Sequence, residues 1–276
     1  MLEAVQESIG SGNVTYIEGT SFDGEIDIDA AVDAARDAEA VVVCLGEKTY
    51  CETPGNINDL TLDEAQLKLV KALAKTDAAI VLVLIEGRPR IIRQIVDDVD
   101  AIVMGYLPGQ EGGVAISDVI FGDVNPSGKL PFTYPKYVGD FTLYDHKKSE
   151  KYEPQWPFGH GLSFTTFEYS NLKLGSTKIS KSDSLKVSVN VRNTGKRAGK
   201  EIVQLYLQDV VATVTPSVRR LKRFTKVSLE PGQTKTVTFT LNPEDLSFIG
   251  RENKPVIEPG DFKIKIAELT ADFTVR

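Results

Sequence analysis

Histidine, methionine and cysteine occur twice each in 276 residues, and tryptophan once. With only His146 and His160, and no Cys/His spacing of the zinc kind, a histidine-rich transition-metal site is close to excluded, whereas a carboxylate-bound calcium site is not. Cys44 lies in an apolar, strand-like run and Cys51 in the polar loop after it. A bridge between them would need a sharp fold-back, so both are expected as free thiols. Long apolar runs are also missing. Ala40–Leu45 and Ala78–Ile85 are strand-sized, far short of the ~20 residues that cross a bilayer, so no membrane partner is expected. No basic stripe exists: 32 Lys and Arg are scattered among 39 Asp and Glu, for a net charge of -7, and nucleic acid is not an expected partner. Met1–Gly10 lacks the basic start and apolar segment of a secretory signal, which implies a cytoplasmic protein or a chain that begins inside something longer.

What is present divides into two patterns. In the first half, the apolar runs Val14–Ile17, Ala40–Leu45, Ala78–Ile85 and Ala101–Tyr106 read as strands. Between them Asp29–Ala38, Asp63–Ala74, Pro89–Val96 and Gln110–Phe121 carry apolar residues at helical spacing. This alternation predicts a mostly parallel sheet with covering helices, its strands buried on both faces and its sites just beyond the strand carboxyl ends. From about Ser182 the pattern becomes period-two alternation over Leu185–Val191, Ile202–Gln208, Lys235–Leu241 and Phe262–Ala267, with Asn193–Gly195 and Pro231–Gly232 as turns. That predicts an antiparallel sandwich of immunoglobulin or fibronectin type III character. The fold class is therefore α/β plus all-β. Pro131–Ser163, rich in Pro, Tyr, Gly and charge, reads as an ordered connector. The run Arg219–Arg223, read as a strand, puts several charges on one solvated face.

The densest chemical signal is the polar loop Gly46–Asn56 at the exit of a buried strand, which holds Glu47 and Glu52. Two carboxylates are the usual equipment of glycoside hydrolysis, one protonating the leaving oxygen and the other attacking or activating water; two solvated loop glutamates are the plain alternative. Arg88, at another strand exit, reads as an ion-pair partner of Glu47 or Glu86, with substrate contact as the second reading. Gly109, Gly112 and Gly113 lack the full phosphate-binding spacing and read as helix entry. His160 reads as a hydrogen-bonded connector residue. Trp156 and Phe158 read as apolar pins of the connector, with a sugar-stacking alternative for Trp156.

Five signatures in order carry a resemblance. They are Gly46-Glu47 with Tyr50-Cys51-Glu52-Thr53-Pro54-Gly55-Asn56; Gly87-Arg88-Pro89; Leu107-Pro108-Gly109-Gln110-Glu111-Gly112-Gly113; Phe121-Gly122-Asp123-Val124-Asn125-Pro126-Ser127-Gly128-Lys129-Leu130-Pro131; and Pro157-Phe158-Gly159-His160-Gly161-Leu162-Ser163. Together they resemble glycoside hydrolase family 3. The resemblance implies an α/β sandwich domain over residues 1–145, a connector over 146–166 and a fibronectin type III-like domain over 167–276. It implies a retaining, exo-acting β-glucosidase-like enzyme without cofactor or metal, with a β-linked gluco-oligosaccharide or aryl glucoside as substrate. Glu52 is its first choice as acid/base and Glu47 its second, with Tyr50, Arg88 and Trp156 as substrate-binding candidates. The family's aspartate nucleophile sits on an N-terminal TIM barrel, and this chain begins after that barrel would end. The barrel is therefore an expected partner, the chain alone is expected to be inactive, and the parent enzyme is expected to be periplasmic or secreted. A homodimer is compatible with this reading. A non-catalytic carbohydrate-binding module of the same fold is the alternative, and a dinucleotide-binding domain is disfavoured because no strand is followed by the required glycine pattern.

Overall fold

The computed structural model describes residues 1–276. They form two compact units, Met1–Val124 with Tyr134–Phe141, and Asn125–Thr133 with Thr142–Arg276. The first unit runs α1 (Leu2–Ile9), a short hairpin of β1 (Thr20–Ser21) and β2 (Gly24–Glu25), α2 (Ile28–Arg36), β3 (Ala40–Gly46), α3 (Glu64–Leu73), β4 (Ala79–Ile85), β5 (Ala101–Met104) and α4 (Gly112–Phe121). Strands β3, β4 and β5 pair in parallel in that order, with Cys44 opposite Val83 and Leu82 opposite Ile102. The central β4 is buried on both faces over Leu82, Val83 and Leu84, as its unbroken apolar run requires. The edge strand β3 departs from that expectation: Val43 and Leu45 are buried while Cys44 between them is exposed. Both cysteines are free and exposed.

Local chemistry accounts for the helix ends. The Asp27 carboxylate accepts from the Ala30 amide at 2.8 Å to cap α2, and α4 stops at Gly122, whose φ of 86° a side chain would disfavour. Two predicted elements are absent. Val14–Ile17 pairs with no strand, and Tyr16 and Ile17 are exposed. Pro89–Val96 is not a helix, because its backbone donors are used elsewhere. The Arg90 amide goes to the Glu86 carboxylate at 3.1 Å and the Ile91 amide to the Leu60 carbonyl at 2.8 Å, so no i−4 ladder can start there.

Where β3 ends, Gly46 is obligatory. A Cβ on it would lie 1.9 Å from the Ile85 carbonyl oxygen of β4. Gln66 of α3 clamps the same residue, accepting from the Gly46 amide and donating to its carbonyl, both at 2.9 Å. Gly46→Ala is expected to destabilise the first unit by about 1–3 kcal/mol through forced overpacking. Urea unfolding followed by far-UV circular dichroism checks this, and an unchanged midpoint would show that β3 can move away from β4 at no cost.

The second unit contains β6 (Phe167–Leu174), β7 (Lys178–Ile179), β8 (Leu185–Asn193), β9 (Gly199–Asp209), β10 (Arg220–Leu229), β11 (Thr234–Leu241), the one-turn α5 (Pro243–Leu246), β12 (Phe248–Ile249), β13 (Pro255–Val256), β14 (Gly260–Ile266) and β15 (Leu269–Val275). Five strands in the order β10-β9-β14-β15-β7 form one sheet and β11-β8-β6 the other. Leu185, Val187, Val189 and Val191 of β8 point inward at period two and join Leu205, Ile264, Phe262 and Phe273 in one core. The basic run does not lie on a solvated face. A bulge between Leu221 and Arg223 leaves Arg223 half-buried on Asp245, and burial pulls the Lys222 ammonium down.

The division between the units departs from the expected boundary at residue 145. Asn125–Thr133 group with the second unit because Asn125 donates to the Ala198 carbonyl at 2.9 Å and accepts from Ser163, while Lys129 pairs with Glu201. Tyr134–Phe141 return to the first unit through the Tyr134 hydroxyl, which reaches Glu86 and the Arg90 carbonyl. The connector from Thr142 onward belongs to the second unit, where Phe158 stacks on Tyr144 at 4.2 Å.

Candidate active site

Glu47 leaves β3 directly after Gly46, and its side chain is only 6% exposed. Its carboxylate accepts from the Gly87 amide at 3.2 Å, from Arg88 Nε at 3.0 Å and from Arg90 Nη1 at 3.1 Å. Ringed by donors from two guanidiniums, the Glu47 carboxylate is the centre of an ion-pair cluster. Arg88 and Arg90 stand two residues apart, and both side chains reach the Glu47 carboxylate. Arg88 also donates to the Gly55 carbonyl at 2.7 Å and lies 4.0 Å over the Tyr50 ring. Arg90 donates to the carbonyls of Leu60 at 3.1 Å and Thr61 at 2.6 Å. The two arginines thus bolt the strand exit to the loop on both sides of Glu52.

Tyr50 is seated by absent side chains. A Cβ on Gly55 would lie 2.5 Å from its ring, and one on Gly87 would lie 2.5 Å from its hydroxyl. Burial and the nearby Glu47 carboxylate raise the Tyr50 hydroxyl, so it stays protonated and can donate. Glu52, two residues on, is exposed and has φ 51° and ψ −140° at the entry to the single turn Thr53–Gly55. That conformation is nearly confined to glycine and costs about 1–3 kcal/mol, a cost met where surrounding structure over-determines the loop. Here the over-determination is supplied by Arg88 on Tyr50 and Gly55.

Beneath this loop lies a residue whose part was not foreseen. Glu86 is fully buried; its Oε1 accepts from the Arg90 amide and from the Tyr134 hydroxyl, at 3.1 and 3.2 Å, and its Oε2 has no partner. Burial pushes Glu86 up to about 7, the two donors offsetting part of that rise and Glu47 adding to it. Tyr134 is pushed upward by the same burial and remains a hydroxyl. Glu86 in the folded protein therefore keeps a proton that the unfolded chain releases near its ordinary value of 4.5. Stability from this group is present below about 4.5 and falls as pH rises toward about 7, by roughly 3 kcal/mol in all. Glu86→Gln, which keeps the Oε1 acceptor and removes the charge, is expected to flatten that fall relative to the wild type. Urea midpoints at pH 5 and pH 7.5 measure it, and an unchanged difference between the two proteins would locate the titration elsewhere.

Of the sequence candidates, the structure brings Glu47, Tyr50, Glu52 and Arg88 into one loop cluster. Trp156 belongs to the second unit, where it stacks on His160 with ring centroids 6.2 Å apart. Arg90, Gln66 and Tyr134 were missed, and Glu86 was read only as a possible partner of Arg88. Their signal was slight: charged residues set directly against the buried run that ends at Ile85, and two arginines at strand spacing. No group of three or more His, Cys, Asp or Glu side chains is placed to hold a metal ion.

The glycosyl hydrolase family 3 C-terminal domain profile matches residues 1–164. The chain belongs to glycosyl hydrolase family 3. Residues 201–269 match a fibronectin type III-like domain, in agreement with the observed sandwich. This family 3 chain is 40% identical to a lysosomal beta glucosidase of Dictyostelium discoideum, over 96% of its own length and 34% of the relative's. It is 37% identical to a beta-xylosidase of Formosa agariphila, over 96% of its length and 39% of the relative's. A solved beta-glucosidase from Listeria innocua in complex with glucose is 33% identical and matches with a TM-score of 0.86, over 94% of this chain and 39% of that one. The chain thus spans between a third and two fifths of the length of these relatives.

Proposed function

We propose that this chain is the acid/base-bearing part of a retaining, exo-acting β-glucosidase-like hydrolase, with Glu52 as the proton donor to the leaving glycosidic oxygen. The observation that carries the reading is the contrast within the carboxylate pair. Glu47 is buried under two guanidiniums, whereas Glu52 is exposed, strained in its backbone and held on a loop anchored at both flanks. A general acid has to reach its substrate and keep a proton as sugar closes over it. Tyr50 is the aromatic side chain of this loop proposed to meet sugar, and Arg88 serves by holding the loop that presents Glu52. The opposing nucleophile of a retaining pair lies ~5–5.5 Å from the acid, and in this proposal it comes from a barrel outside these 276 residues.

Purified chain alone is expected to leave an aryl β-glucoside intact, and hydrolysis is expected to appear when it is joined to, or mixed with, a family barrel from the same source. Hydrolysis by the chain alone, abolished by Glu52→Gln, would place a nucleophile within these residues and overturn the division of labour.

A further inference from the structure

The second unit carries a recess of about 360 Å³ on the outer face of its larger sheet. Its floor follows from register: Lys263 of β14 sits opposite Gln208 of β9, and Lys265 opposite Tyr206. All four side chains therefore leave the face that points away from the core. One rim is the pair His146 and Tyr152, stacked at 4.6 Å; the other is Val218 and Arg219. The rims are stapled together, the Val218 amide donating to the His146 carbonyl at 2.8 Å and Lys147 bridging to Ser217. This is a built recess, with its floor and rims from four separate stretches of chain.

Its chemistry is one-sided. Three cations line it and no carboxylate does. Lys263 and Lys265 have acidic partners in Asp272 and Glu268, but both partners are largely exposed and such pairs are worth ~0–1 kcal/mol, so either ammonium can be redirected to a ligand. Arg219 lies 4.9 Å over the Tyr206 ring and makes no ion pair; a stacked guanidinium keeps its edge free for a carboxylate. Stacked rings and Val218 offer apolar surface, and the Gln208 amide can both donate to and accept from hydroxyls. The volume falls at the lower end of the ~300–1,000 Å³ usual for small-molecule sites.

The geometry points to a second saccharide site on this face, one that takes a β-linked gluco-oligosaccharide bearing a hexuronate carboxylate. The cations select the carboxylate, while the aromatic and apolar walls take the carbon-bound hydrogens of the ring. The choice of a sugar among organic anions rests on membership in a glycoside-hydrolase family. The site would hold acidic glycan independently of catalysis.

Titration of the isotope-labelled chain with glucuronosyl-β-1,4-glucose at low ionic strength tests this by amide chemical shifts. Saturable shifts are expected along β9, β14 and Val218–Arg219. Affinity is expected to be at least about tenfold weaker for cellobiose, for acetate, and for the Arg219→Ala/Lys265→Ala double variant, each tenfold being ~1.4 kcal/mol. Unchanged shift dispersion in the double variant would certify its fold, and a Lys265→Gln variant gives the same comparison if it does not fold. Equal affinity for acetate would reduce the recess to an adventitious ion site only. Equal affinity for cellobiose, binding unaffected by the substitutions, or shifts confined to other residues would each overturn the assignment. Because the assay reads binding by the second unit alone, its failure leaves the role of Glu52 untouched.

Discussion

In a complete enzyme containing this chain, Glu52→Gln is expected to lower turnover of cellobiose by about 10²–10⁴-fold, the usual worth of general acid catalysis. A sugar alkoxide is a poor leaving group and departs only as it is protonated, whereas a dinitrophenolate departs unaided, so glycosylation by a dinitrophenyl glucoside should suffer far less. The gap between the two substrates is the signature of a lost acid rather than of a disturbed fold. Glu47→Gln should not open such a gap. Its cost should appear as stability, because Arg88 and Arg90 would face a neutral amide in place of the charge they now enclose.

The second large effect concerns Arg90. Its side chain is 9% exposed and serves Glu47, Leu60 and Thr61 at once. Arg90→Met would leave a buried carboxylate with one of its two cations and two carbonyls without their side-chain donor. Removing one member of a buried pair typically costs about 3–5 kcal/mol, against ~0–1 for exposed pairs such as Lys151 with Glu153. The probe matters. The single tryptophan, Trp156, is in the second unit, whereas all the longer helices are in the first. Urea unfolding of the Arg90 variant should therefore shift the far-UV dichroism transition and leave tryptophan fluorescence nearly in place. A loss under about 1 kcal/mol would mean that water replaces the guanidinium and that the network does not hold the loop.

How far the sequence foretold these features depended on whether the relevant pattern was local. Strands β4, β8 and β9 were legible because their side chains repeat at period two or run unbroken where both faces are covered, and each pattern follows from pairing geometry alone. Pro89–Val96 misled because its spacing of Ile91, Ile92 and Ile95 suits a helix, and the deciding fact was distant: Leu60 takes the Ile91 amide. Val14–Ile17 has strand composition but no neighbouring strand, and composition cannot report a missing neighbour. In the site, Glu47, Tyr50, Glu52 and Arg88 stood out through their motifs, and Arg88 was read as a partner of Glu47 or Glu86, but the contacts made by Arg90 and Glu86 were not legible. The clamp on Glu47 joins residues 41 and 43 positions away, and the buried Oε2 of Glu86 exists only once Tyr134 closes over the same carboxyl. Short-range chemistry located the loop, and long-range packing set which of its side chains are enclosed.

On the assignment proposed above, Glu52, and not Glu47, moves the proton. Azide needs no general base to attack a glycosyl-enzyme, so it separates the two residues in one experiment. The complete enzyme carrying Glu52→Gln, supplied with an activated β-glucoside and azide, should recover turnover and release β-glucosyl azide, while the Glu47→Gln enzyme shows neither rescue nor azide product. Rescue and β-glucosyl azide arising from the Glu47 variant instead would contradict the account and make the residue at the strand exit the acid/base.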